Sequence, residues 1–228
     1  MLVMKAWLET RWRVAGCFAY SFLVLALNYQ NRHDPQPARV TGMLFPLLMV
    51  LTCAALTLAG SGVRSQAPAG FPDGLAESTE FTIALPVSRL RLLGVRAAVG
   101  LGETFAATVI VAALAWILFP SVRAIAAPAD FARLVSFTLL WLTAPYCAAL
   151  FFVTLLAEPL SFMCAGWALT LLVWLLHRAP PAVDLVRAIG PQSPLVTHRL
   201  PWPQMAACAG LALLLFWAAA RVVRTREY

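Results

Sequence analysis

From Leu75 to Phe119 the chain reads LAESTEFTIALPVSRLRLLGVRAAVGLGETFAATVIVAALAWILF: a polar helix, a proline, a basic cluster and then an apolar run. Leu75 to Leu85 has no internal Gly or Pro and follows Asp73, whose carboxylate can accept from the orphan amides of a first turn. A short helix is predicted there. At 100° per residue Glu77, Glu80 and Ala84 share one face, with Leu75, Thr79, Thr82 and Ile83 largely opposite. Pro86 ends that helix, because it donates nothing to the ladder and restricts Leu85. Ser88 is the expected cap of a second helix, which opens on Arg89, Arg91 and Arg96 and runs into the apolar stretch Ala97 to Phe119. Cations at a helix N-terminus oppose the macrodipole, so helix stability does not explain the arginines. Anionic lipid headgroups do.

The same chemistry repeats along the chain. Hydrophobic residues make up 61% of the 228 residues, charged residues 12%, and mean hydropathy is +0.80, a balance outside that of soluble domains. At roughly 20 residues per span, the length accommodates about six spans and no sizeable soluble catalytic domain. Those expected are Val14 to Asn28, Gly42 to Gly62, Ala97 to Phe119, Leu134 to Ala157, Leu160 to Leu176 and Trp202 to Ala220. The fold class is therefore an all-α membrane protein of six transmembrane helices, a single transmembrane domain over 1–228. The net charge of +7 sits at span ends and is not interleaved with aromatics, so it points to the lipid bilayer and not to nucleic acid. An even number of spans puts both termini on one side. That side carries ten Lys and Arg against seven on the other, which places the termini in the cytoplasm.

The connections carry further expectations. Residues 1–13 place Lys5, Glu9 and Arg13 on one face and Trp7, Leu8 and Trp12 among the rest, which predicts a helix lying in the membrane plane. Trp7 and Trp12, and the absence of small residues after the first apolar run, read against a cleaved signal peptide. Glu158-Pro159 reads as a tight turn, and 178–201 as an outer loop with a short helix between Pro181 and Gly190.

The run Glu80-Phe-Thr-Ile-Ala-Leu-Pro86-Val87-Ser88-Arg89 resembles the cytoplasmic loop of type-2 ABC transporter permeases, whose pattern is roughly Gly-Thr-x-Glu, five residues, then Pro-Val-Ser-Arg. Glu80, Pro86, Val87, Ser88 and Arg89 match it residue for residue. Ser78 stands at the family's Thr and Glu77 at its Gly. The resemblance implies that residues 75–92 form a cytoplasmic coupling region between spans two and three, contacting a separate ATP-binding subunit through Glu77, Ser78, Glu80 and the Pro86 to Arg89 run. It further implies an exporter in the bacterial inner membrane, with a second permease copy or a homologous permease completing the transmembrane unit. Ser193-Pro194-Leu195 also resembles a segment ahead of the family's last span.

Other chemistries have thin support. A phosphate-binding loop needs a lysine after its glycines, and the one lysine is Lys5. This chain is therefore expected to carry no cofactor and no ATPase site, with ATP and Mg on the partner, and is not read as an enzyme. The cysteines Cys17, Cys53, Cys147, Cys164 and Cys208 form no Cys-x-x-Cys pair and read as small core residues. His33, His177 and His198 fall at loops without metal-ligand spacing and read as solvated. The intraspan tryptophans, such as Trp116, Trp141, Trp167, Trp174 and Trp217, read as packing against lipid or helices before they read as lining a path. Glu103 is the acidic residue well inside a span, and an intramembrane carboxylate is a candidate for the translocation path. The competing class is an ATP-independent secondary transporter or an accessory membrane scaffold.

Overall fold

The computed structural model describes residues 2–33, 37–60, 88–156, 158–178 and 193–225. Of these, 92% are helical and none lies in a strand. The elements are α1 (Leu2–Asn28), a 3-10 turn (Tyr29–Asn31), α2 (Pro37–Gly60), α3 (Arg89–Leu118), α4 (Pro120–Ile125), α5 (Pro128–Leu155), α6 (Glu158–His177), α7 (Pro194–Thr197) and α8 (Trp202–Thr225). Among the described residues, three helices are long and apolar enough to cross a membrane: α3 from Leu90, α5 and α8. Within the described residues, the six apolar stretches of the sequence fall one each on α1, α2, α3, α5, α6 and α8.

Prolines set the helix boundaries. Pro120 cannot extend α3 and forces Phe119 into an extended conformation, then serves as the first residue of α4. Pro128 does the same to Ala127 at the start of α5. The backbone N–H of Ser121 donates to the carbonyl of Arg32 at 3.0 Å, which ties α4 to the turn that follows α1. Sequence periodicity missed α4, because a six-residue helix carries too little pattern.

Two boundaries differ from expectation. The change at Arg13 from an in-plane helix to a span is not a helix break: Leu2–Asn28 is one continuous helix. No proline falls between those residues, so nothing in the backbone interrupts it. Glu158 and Pro159 already belong to α6 and do not form a turn. A proline in the first turn of a helix has no intrahelical partner to lose.

α5 is the centre of the bundle. It packs along α2, α3, α6 and α8, while α1 lies outside α2 and α3. Two buried clusters run down the structure, one around Phe137, Leu142, Tyr146 and Leu150, the other around Leu25, Leu47, Val111, Phe119 and Phe131. In a bilayer, lipid tails solvate apolar side chains as well as protein does, so such helices associate through close packing of small residues. The buried alanines Ala55, Ala97, Ala149, Ala165 and Ala219 supply that here.

Candidate functional site

Most of the expected coupling residues, Glu77, Ser78, Glu80, Pro86 and Val87, lie outside the described residues, as does the short helix expected between Pro181 and Gly190. The described part of that motif is its end. Ser88 has the extended backbone of a cap (φ −61°, ψ 138°), and its hydroxyl accepts from the Arg91 N–H at 3.4 Å. Arg89 is the first residue of α3.

Three turns into α3 the polar residues gather. Arg96, Gly100, Glu103 and Thr104 recur at helical spacing, which puts them on neighbouring positions of one face. All four are buried. Glu103 Oε1 accepts a 2.6 Å hydrogen bond from the hydroxyl of Thr10 on α1. Its Oε2 is buried and has no hydrogen-bond partner among the described residues. Beside it, the Tyr146 hydroxyl of α5 donates to the carbonyl of Arg96 at 3.3 Å. Tyr146 can come this close because residue 100 is glycine; a Cβ there would collide with its hydroxyl. Arg13 of α1 donates from Nη1 to the Thr57 carbonyl of α2 at 2.8 Å. Three helices, α1, α3 and α5, therefore converge on one polar layer built from side chains scattered in sequence, and Arg13, one turn after Thr10, ties α1 to α2.

Further along α3 the polarity turns inward. Thr104 donates to the Gly100 carbonyl at 2.8 Å and Thr108 to the Thr104 carbonyl at 2.7 Å, so both hydroxyls are absorbed by their own helix. Trp141 of α5 is buried and its Nε1 lies 3.5 Å from Thr52 Oγ1 on α2, which makes it a packing residue. Trp167, Trp174 and Trp217 project from the surface of the bundle. Trp116 packs on Phe131 with ring centroids 4.8 Å apart. Of the cysteines, Cys17, Cys147 and Cys208 are buried as expected, but Cys53 is exposed on an open groove between α1 and α2.

Neither a family model, a characterised protein nor a solved structure matches the chain. What the site can do is therefore read from its chemistry. A buried carboxyl with one oxygen engaged and the other unmatched is a group that can take up a proton or a cation. Among the described residues no three His, Cys, Asp or Glu are grouped to hold a metal ion.

A second polar cluster stands at the other end of the bundle, and the sequence reading passed it over. Asp130, in the first turn of α5, is buried, with Oδ2 2.6 Å from Nδ1 of His198 and Oδ1 accepting from Arg133 Nη1. The same Nη1 donates to the His198 carbonyl at 2.9 Å. His198 is largely exposed, as expected of a loop histidine, and its ring also meets Asp130. It closes α7 in the left-handed region (φ 54°, ψ 21°) and is held there by α5. The available signal was Asp130 and Arg133 at i, i+3 just after a helix-starting proline.

Proposed function

We propose that the chain is the transmembrane permease subunit of an ATP-driven ABC transporter, an exporter by direction, coupled to a separate ATP-binding subunit. The observation that carries this reading is the Glu80 to Arg89 motif ending at the capped start of α3. A helix that begins at Ser88 and continues into the bundle can transmit a displacement of the segment ahead of it to the Glu103 layer. In this reading all six long helices are spans, both termini are cytoplasmic, and a second permease copy or homologue completes the unit in the bacterial inner membrane. ATP and Mg belong to the partner. Arg178 stacked 4.0 Å from the Trp174 ring centre, and Arg221 at 5.3 Å from that of Trp217, fit the headgroup levels near the ends of α6 and α8.

The test is co-purification of the ATP-binding subunit. Opposing an interfacial charge with a like charge costs several kcal/mol, so Glu80→Arg releases or uncouples the ATPase while the permease still inserts. Full association and full substrate-stimulated hydrolysis with Glu80→Arg overturn the reading. The buried Glu103 carboxyl favours one alternative, an ATP-independent carrier, which the same experiment separates because no ATPase would then co-purify with the unaltered chain.

A further inference from the structure

α1 and α2 pack on each other, and an open groove runs between them. Its floor includes Cys17, Val24 and Ala54, which are buried, and its rims Tyr20, Phe45 and Met49, which are exposed. Small residues leave the space. Cys17 and Ala54 fill little of it, and at Gly16, which also lines the groove, a Cβ would meet nothing within 4 Å. The helices run antiparallel. Arg13 meets Thr57 at one end of the groove, and Val24 shares a buried cluster with Leu47 at the other.

Polarity is concentrated at the Arg13 end. Arg13 Nη1 donates to the Thr57 carbonyl at 2.8 Å, and the Thr57 hydroxyl donates to the Ala54 carbonyl at 3.0 Å. Beyond that end the side chains lining the groove are carbon and sulfur, apart from the Tyr20 hydroxyl. Arg13 also stands where α1 passes from its charged N-terminal part into its apolar run, which in a bilayer is the level of the phosphates. A guanidinium offers five N–H donors in a fork that fits phosphate oxygens, and its bond to the Thr57 carbonyl uses one of them.

Length and charge together choose the occupant. Arg13 to Val24 covers roughly 16 Å at about 1.5 Å per residue. One leaflet of the hydrocarbon core is about 15 Å deep, half of the whole. A cation at one end and apolar walls for the depth of one leaflet complement an amphiphile with an anionic head and a long alkyl chain. A second copy is a poorer fit. A two-fold contact through this groove, with its axis along the membrane normal, would set two Arg13 side chains at the same depth across it, like charge against like.

We propose that the groove between α1 and α2 is a binding site for one anionic phospholipid, with its phosphate on the Arg13 guanidinium and one acyl chain lying along Gly16, Tyr20 and Met49. The site rests on reading α1 and α2 as spans and not on the ATP-driven reading, since it would serve a carrier of either kind.

The experiment uses the full chain in nanodiscs, one chain per disc, doped with either of two phospholipids that carry a diazirine midway along one acyl chain: phosphatidylglycerol, which is anionic, or phosphatidylcholine, which is zwitterionic. Labelled residues are mapped by mass spectrometry. Tyr20, Met49 and Cys53 are expected to label about fivefold more with the anionic probe, the factor one basic residue is worth at an anionic membrane surface. Phe22, Leu23 and Leu27, exposed on α1 and not part of the groove, are expected to label alike with both. Arg13→Gln, which can still donate to the Thr57 carbonyl, is expected to abolish the preference. Gly16→Leu, a change that favours helix, is expected to fill the groove and lower its labelling by both probes, and it carries the test if Arg13→Gln does not fold. Groove labelling indifferent to headgroup, or unchanged by these variants, overturns the site. Groove labelling lost in discs that hold two chains, while Phe22, Leu23 and Leu27 still label, gives the groove to a second copy and overturns it too. If those three residues label with neither probe, α1 is not a span, and the proposal falls with that reading.

Discussion

Thr10 and Glu103, 93 positions apart, are joined by a 2.6 Å hydrogen bond that pins the N-terminal part of α1 to the inner face of α3. The bond satisfies one carboxyl oxygen and leaves the other buried without a partner among the described residues. A buried unmatched acceptor costs about 1–3 kcal/mol, and more if charged. Glu103→Gln, which keeps the shape and can still accept from Thr10, is therefore expected to raise the midpoint of thermal unfolding in detergent. Thr10→Val is expected to lower it by about 1 kcal/mol in stability. If the layer serves transport, Glu103→Gln pairs this gain with a loss of substrate flux while complex assembly stays intact. A variant both less stable and fully active would make Glu103 a structural residue.

Gly100 and Tyr146 give a second prediction. A methyl at position 100 would overlap the Tyr146 hydroxyl and crowd two ring carbons at 3.1 Å. Overpacking of this kind costs about 1–3 kcal/mol. Tyr146→Phe alone forfeits one hydrogen bond to the Arg96 carbonyl, about 0.5–1.5 kcal/mol. In the double variant Gly100→Ala/Tyr146→Phe the worst overlap is gone, so its cost should be less than the sum of the two single costs. Strict additivity in a thermal double-mutant cycle would show that the residues do not meet in this way.

The Ser88 cap yields a smaller effect. Its bond to Arg91 is long at 3.4 Å and exposed, so Ser88→Ala is expected to cost about 0.5 kcal/mol, the low end for N-caps. Hydrogen exchange should report faster opening confined to the first turn of α3. A loss of the whole bundle's protection would mean that Ser88 holds more than its own helix.

Orientation is checked by labelling. Thr197 and Thr225 are exposed at opposite ends of the structure. In a cysteine-free background, Thr197→Cys should react with an impermeant thiol reagent added outside intact cells, and Thr225→Cys should react only after lysis. The reverse pattern overturns the cytoplasmic placement of the termini.

The helices were legible because their signals are local. Long apolar runs, the Ser88 cap and the prolines at 120 and 128 each act within a few residues, and the bundle keeps them where the sequence puts them. Glu103 stood out for the same reason, as one carboxylate in an apolar run. What surrounds it did not. Thr10, Tyr146 and Arg96 meet only after α1, α3 and α5 pack, and no spacing within any one helix announces the meeting. His198 is exposed at a loop as expected, but its partner was illegible on the same ground, lying 68 positions away. The continuous α1 shows the converse limit, since an amphipathic pattern at residues 1–13 says which face is polar but not where a helix stops.

The central placement of α5 has a mechanical consequence. A helix that gives its circumference to α2, α3, α6 and α8 has little left for lipid or for another chain. It acts as an axle. α6 leans mainly on α5, with a lesser contact to α2, so it can tilt without breaking the Thr10–Glu103 bond between α1 and α3, whereas any rotation that displaced α5 would have to break packing on several sides at once. Large motions in this molecule are accordingly confined to the rim, and the hub is what they turn against.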